Sequence, residues 1–149
     1  MSSTIRIRLQ EDMKSALKAG EALRLSTVRM ALSEVKRSEA DTGVDPDEAT
    51  AVGILEKMVK QRRDSENQFR AGNRPELAER ETAEIAILLG YLPQQLSEAE
   101  VGALIAQAVT ETGAAGPKDM GKLMAWLKPK VAGKTDMGKL SGLVKAKLG

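Results

Sequence analysis

Asp119-Met120-Gly121-Lys122-Leu123 recurs, unchanged and seventeen residues later, as Asp136-Met137-Gly138-Lys139-Leu140. In each copy an aspartate stands where a helix would begin, and a carboxylate there accepts from the first free backbone N–H groups. Apolar residues follow at helical spacing: Met120, Leu123, Met124, Leu127 and Val131, then Met137, Leu140, Val144 and Leu148. Ala132-Gly133-Lys134-Thr135 joins the two, with Gly133 suited to ending the first. The stretch 119–148 therefore reads as two short helices folded on one another.

A helix start carries partial positive charge and unpaired donors, so it attracts anions. A glycine there opens the backbone to a phosphate, and a neighbouring lysine adds a mobile cation. The same residues also fit a plainer reading, in which the glycines let the helices pack closely and the lysines are solvated.

The rest of the composition narrows the chemistry. A chain of 149 residues suits one domain or two small ones. It has no cysteine and no histidine. Thiol nucleophiles, thiolate metal sites and the usual neutral-pH proton shuttle are thereby excluded. The opening MSSTIRIRLQ has no apolar core, and the longest apolar run, Ile85 to Leu89, is too short to cross a membrane. These features lead to the expectation of a cytoplasmic protein with no membrane contact, no metal and no cofactor.

Charge is uneven along the chain. The net charge is only +2, yet from Ala114 onward Lys118, Lys122, Lys128, Lys130, Lys134, Lys139, Lys145 and Lys147 face only Asp119 and Asp136. A basic tail on a neutral body fits contact with nucleic acid or another acidic partner. Aromatic residues are limited to Phe69, Tyr91 and Trp126, so base stacking is a poor expectation and phosphate contact a better one. The expected RNA-contacting residues are Lys118, Gly121, Lys122, Lys130, Lys134, Gly138 and Lys139. Lys57, Lys60, Arg62 and Arg63 form a second candidate basic patch, although a solvated helix face explains them too.

Upstream, the pattern is helical throughout. Ile5, Leu9, Met13 and Leu17 mark a first helix ending at Gly20. Leu25, Val28, Leu32 and Val35 mark a second, from about residue 23 to 40. Asp45 with Pro46 is the expected start of a long third helix reaching about Ala71, with Val52, Leu55, Val59 and Phe69 inward. Asn73 is the expected cap of a fourth, which buries Ile85, Leu88, Leu89 and Leu92. Its glutamates Glu76, Glu79, Glu81 and Glu84 are better matched to Arg62, Arg63 or Arg70 than to a metal. Pro93 ends that helix and suggests a boundary, giving domains 1–93 and 94–149. Ser97 and Glu100 form a capping box for a fifth helix ending at Gly113. Ala114–Pro117 reads as a flexible connection. Pro129 predicts a kink or early end near residues 126–128. The fold class is all-α, with seven helices.

Several motifs together resemble the YqeY family of small bacterial proteins. They are Arg24-Leu25-Ser26-Thr27-Val28-Arg29, Lys60-Gln61-Arg62-Arg63-Asp64-Ser65, Glu81-Thr82-Ala83-Glu84-Ile85 leading to Tyr91-Leu92-Pro93, and Met120-Gly121-Lys122-Leu123-Met124 with Gly133-Lys134-Thr135-Asp136. The part from about Gln94 is similar to the helical tail of the B subunit of the glutamine-dependent aspartyl/glutamyl-tRNA amidotransferase. The resemblance implies a helical N-terminal domain, a three-helix tail domain and an RNA-contact role for Lys122, Lys134 and Lys139. It also implies association with carbon–nitrogen ligase activity that takes glutamine as amido donor. Ala125 and Trp126 depart from the smaller residues expected after Met124.

Three functions follow as expectations. The first is a non-catalytic accessory protein for tRNA or another RNA. The second is an adaptor that docks on a protein of the translation or amidotransferase machinery. The third is an enzyme or ligase component, for which Tyr91, Glu81, Glu84 and Lys60 would be the proton-handling set. No nucleotide-binding loop or glutaminase cysteine supports independent catalysis, so no catalytic residue is assigned.

Overall fold

The computed structural model describes residues 2–149 as seven α-helices and one 3₁₀ turn, with no strand among the described residues. The chain divides into two compact units, Met1–Leu92 and Pro93–Gly149.

The first unit holds α1 (Thr4–Ala19), α2 (Ala22–Thr42), α3 (Glu48–Ala71) and α4 (Pro75–Leu89). Gly20 ends α1 in the left-handed conformation, at φ 70°, which glycine adopts without steric cost. The chain then reverses into α2. One apolar stripe from each helix meets in a common core: Ile5 and Leu9, Val28 and Val35, Leu55 and Val59, and Ile85 and Leu88, closed by Tyr91. Phe69 lies outside this cluster and is only half-buried. Leu89 and Leu92 are likewise half-buried against the core.

Two helix starts of this unit differ from the sequence expectation. α3 is capped by Asp47, whose carboxylate accepts from the Thr50 N–H at 2.8 Å. Asp45 instead accepts from the Ser2 hydroxyl at 2.7 Å and from Arg6 at 2.6 Å, and those bonds hold its carboxyl below the usual range. Arg6 also pairs with Glu39, so the start of α1 is tied to the end of α2 and the loop after it. The competing partners decide the matter: a carboxylate already held by a guanidinium and a hydroxyl is not free to cap. Asn73 does not cap α4. It takes φ 57°, a left-handed link between α3 and α4, and Arg74 occupies the cap position without a side-chain bond. Asparagine tolerates that conformation better than most residues.

The second unit holds α5 (Glu98–Thr112), the 3₁₀ turn Pro117–Asp119, α6 (Met120–Val131) and α7 (Met137–Leu148). The Ser97–Glu100 capping box is formed in both directions. Val101, Ile105, Leu123, Leu127, Val131, Leu140, Val144 and Leu148 form its core. Ala114 is buried in the same core, so the segment after α5 is anchored and not a free connection. The stretch before α5 is stapled to the α6–α7 turn: the Gln95 amide donates to the Gly133 carbonyl at 2.6 Å, and the Leu96 N–H to that of Lys134 at 2.8 Å.

α6 does not end early at Pro129; it runs on to Val131. The proline removes one donor, and the carbonyl thereby freed is that of Ala125, four residues back. Both residues are exposed, so water can take the freed acceptor.

Candidate functional site

The Asp-Met-Gly-Lys-Leu repeat begins α6 and α7, but its two aspartates act differently. Asp136 has extended backbone (φ −70°, ψ 118°) and its carboxylate accepts from the Gly138 N–H at 2.9 Å. Asp119 closes the 3₁₀ turn set by Gly116-Pro117, with φ −92° and ψ 4°. That conformation turns its carboxylate back onto the Ala115 N–H, at 2.9 Å. An N-cap needs the extended geometry that only the second copy has. The leading end of α7 therefore already has an anion on it.

The glycines are not packing requirements. A Cβ at Gly121 would meet nothing within 4 Å, and one at Gly138 would meet only the Asp136 carboxylate, at 3.4 Å. Close helix approach is thus not the reason for either. Gly133, by contrast, is buried and left-handed at φ 75°, as the turn between α6 and α7 requires.

The lysines of this unit are presented outward. Lys118, Lys122, Lys128, Lys130, Lys145 and Lys147 are all exposed. Lys134 is half-buried because its backbone serves the turn at both its N–H and its carbonyl. Lys130 lies over the Trp126 ring, 3.8 Å from its centroid, and Trp126 in turn donates to Glu111 at 2.9 Å. Among the described residues, Lys139 is the one lysine of this unit held in an ion pair: it meets Glu98 at 2.7 Å and keeps that carboxyl below its usual range.

The repeat also extends further than its first five residues. Lys128-Pro129-Lys130-Val131 is matched seventeen positions later by Lys145-Ala146-Lys147-Leu148. Both pairs fall in the last turn of their helices, where cations complement the dipole. Lys128, Lys145 and Lys147 were outside the expected site. The Lys-x-Lys spacing was the signal that could have found them.

The second patch is not one surface. Lys57 and Lys60 are exposed, while Arg62 and Arg63 are half-buried. Arg62 lies 3.2 Å from Glu84, the ion pairing expected between α3 and α4, and Arg80 reaches the same carboxylate at 3.5 Å. Nor do the proton-handling candidates share one set of partners. Glu81 is raised above its ordinary range by burial and by the nearby Glu84, with Arg62 and Arg80 opposing the shift. Tyr91 instead donates to Asp12, beneath Arg8 at 4.8 Å from its ring. Burial and that carboxylate push its phenol well above the usual value. Among the described residues, no three carboxylates gather as a metal site would require, and no helix is long and apolar enough to cross a membrane.

The sequence model of a family described as Yqey-like protein matches residues 6–148. Among curated relatives, the chain is 38% identical over 125 residues to "Altered inheritance of mitochondria protein 41, mitochondrial" of Lachancea thermotolerans, covering 79% of this chain and 67% of the relative. The protein of the same name from Kluyveromyces lactis is 37% identical over 107 residues, covering 69% and 57%. That from Vanderwaltozyma polyspora is 36% identical over 85 residues, covering 56% and 46%. The matched stretch thus spans between about half and two-thirds of these relatives' own length. Their names, all mitochondrial, overturn the expectation of a cytoplasmic protein. That expectation leaned on the lack of an apolar core in MSSTIRIRLQ, which does not bear on a mitochondrial address, because such addresses are amphipathic and carry no such core.

Proposed function

The chain belongs to the Yqey-like protein family, and from that premise we propose that it is a non-catalytic accessory protein holding tRNA or another RNA by the phosphate backbone, through the lysines of its Pro93–Gly149 unit. One observation carries this reading: in that unit every lysine but Lys134 is exposed, and among the described residues only Lys139 is spent on a carboxylate. The similarity of this part to an amidotransferase tail points the same way. At α7 the contact is made by side chains and not by the helix end, because Asp136 occupies its start. Lys122 and the Lys-x-Lys pairs at 128/130 and 145/147 are the main contacts, with Lys118, Lys134 and Lys139 contributing.

The test is tRNA binding by the full chain across a salt series. A few lysine–phosphate contacts give a log–log slope of about −2 to −4, through counterion release. Binding no stronger than to an unrelated acidic polymer contradicts the reading.

A second reading, a protein-docking adaptor, is favoured by a shallow recess of about 400 Å³ where Ile105 of α5 faces the exposed Leu143 of α7, rimmed by Glu98 and Lys147. A partner retained through nuclease treatment and high salt would select it over RNA.

A further inference from the structure

The Met1–Leu92 unit carries a groove of about 630 Å³ between α2 and α3, a size suited to a small ligand. Its floor includes Met30, Ile54 and Met58. Arg29, Ser33 and Arg37 recur every fourth residue along one wall, and Lys57, Gln61 and Arg62 line the other. Apolar floor and donor-rich walls together fit a molecule with an apolar or flat body and a compact anionic group.

Arg62 supplies the more specific observation. Its side chain is only 13% exposed and is held in place: one terminal nitrogen donates to the Met58 carbonyl at 3.1 Å, and its Nε lies beside Glu84. The other terminal nitrogen, on the groove side, donates to the Met30 sulfur at 3.5 Å. A thioether is a weak acceptor. A guanidinium so positioned would exchange that contact for a phosphate oxygen, through one terminal nitrogen already held in place. The carboxylates of the lining are Glu34 and Asp41. Glu34 already lies 4.0 Å from Arg37, and Asp41 is three helical turns along α2 from Arg29. The cationic end is therefore the one marked by Arg29 and Arg62.

We propose that this groove binds a small phosphate monoester with an apolar or flat body, of which a nucleoside monophosphate is the representative. Phosphate sits among Arg29, Arg62 and Lys57, and the body lies on Met30, Met58 and Ile54.

The experiment titrates the full-length protein, followed by amide resonances, with adenosine monophosphate, adenosine and inorganic phosphate separately. The monophosphate shifts the amides of 29–37 and 57–62 saturably. Inorganic phosphate shifts the same amides at higher concentration, and adenosine does not. Arg29→Gln combined with Lys57→Gln, both exposed and so compatible with folding, weakens the monophosphate about a hundredfold, at about tenfold for each charge-assisted contact. Lys14→Gln, exposed on α1 and outside the groove lining, leaves it unchanged. Absence of a saturable shift, equal binding of adenosine, or equal weakening by Lys14→Gln overturns the proposal. So does a response of these amides to tRNA alone with the monophosphate silent, which would make the groove part of an RNA surface.

Discussion

The two units use charge in opposite ways. In Met1–Leu92, several guanidinium groups are spent on structure. Arg6 ties the start of α1 to Glu39 and Asp45, Arg24 bridges Asp12 and Glu21, and Arg62 joins α3 to Glu84 of α4. In Pro93–Gly149, an apolar core and backbone staples hold three short helices together, and the lysines stand outside them. Arginine suits the first task because its fork can serve two carboxylates in fixed geometry. Lysine suits the second because a compact, mobile ammonium follows a phosphate backbone without demanding register. Positive charge that closes a fold is largely withdrawn from a partner, Arg62 keeping only the terminal nitrogen that rests on the Met30 sulfur; positive charge left at the ends of helices is available.

The sharpest way to break this comparison is to remove one partner of an ion pair from each unit. Glu84 is 7% exposed at its side chain and has two arginines upon it. Glu84→Ala leaves Arg62 buried without its carboxylate and lowers stability by about 3 kcal/mol, read by denaturant unfolding. Glu98→Ala, by contrast, frees an exposed Lys139 and leaves the unfolding midpoint unmoved, since exposed pairs contribute little. Equal effects at the two positions would erase the distinction between the units.

A second contrast lies in pH. Tyr91 has its phenol raised by burial and by Asp12, so the folded chain holds that proton more tightly than the unfolded chain. Its contribution is complete below the ordinary tyrosine value of about 10 and is lost as pH rises beyond it. Thermal melts of the full chain should fall in midpoint above that pH, and Tyr91→Phe should flatten the fall. An unchanged alkaline profile in the variant would mean that the Tyr91–Asp12 bond does not matter to the fold.

The smallest effect is at Gly121. A Cβ there meets nothing, and glycine within a helix costs roughly 0.5–1 kcal/mol relative to alanine. Gly121→Ala should raise stability by about that amount and leave RNA affinity unchanged if the side chains carry the contact. Stabilisation with loss of affinity would show that backbone access at the start of α6 is used.

Helix content was legible because the apolar spacing is regular and its punctuation local. Gly20 and Gly113 end helices, and Ser97 with Glu100 opens one, all within a few residues of sequence. The misreadings share a cause. Asp45, Asn73 and Asp119 are each good caps by residue type, but each is claimed by something the local sequence does not display: Arg6 from another helix, a left-handed link, and a 3₁₀ turn set two residues earlier. Pro129 is tolerated where Ala125, whose carbonyl it orphans, is an exposed residue, a matter of tertiary exposure. At the candidate site, the five-residue repeat points to the starts of the two basic helices, whereas Lys128, Lys145 and Lys147 lie in their last turns. The groove between α2 and α3 could not be read from sequence, since Arg29 and Arg62 meet only after folding.

The most direct measurement compares two charge-reversed proteins for tRNA affinity against salt. One carries Lys122→Glu, Lys128→Glu and Lys145→Glu; the other carries Lys57→Glu and Lys60→Glu. The first should lose most of its binding and flatten the salt slope toward zero, while the second keeps a slope of about −2 to −4. Equal slopes in both proteins, or undiminished binding by the first, would contradict an RNA surface built from the lysines of Pro93–Gly149.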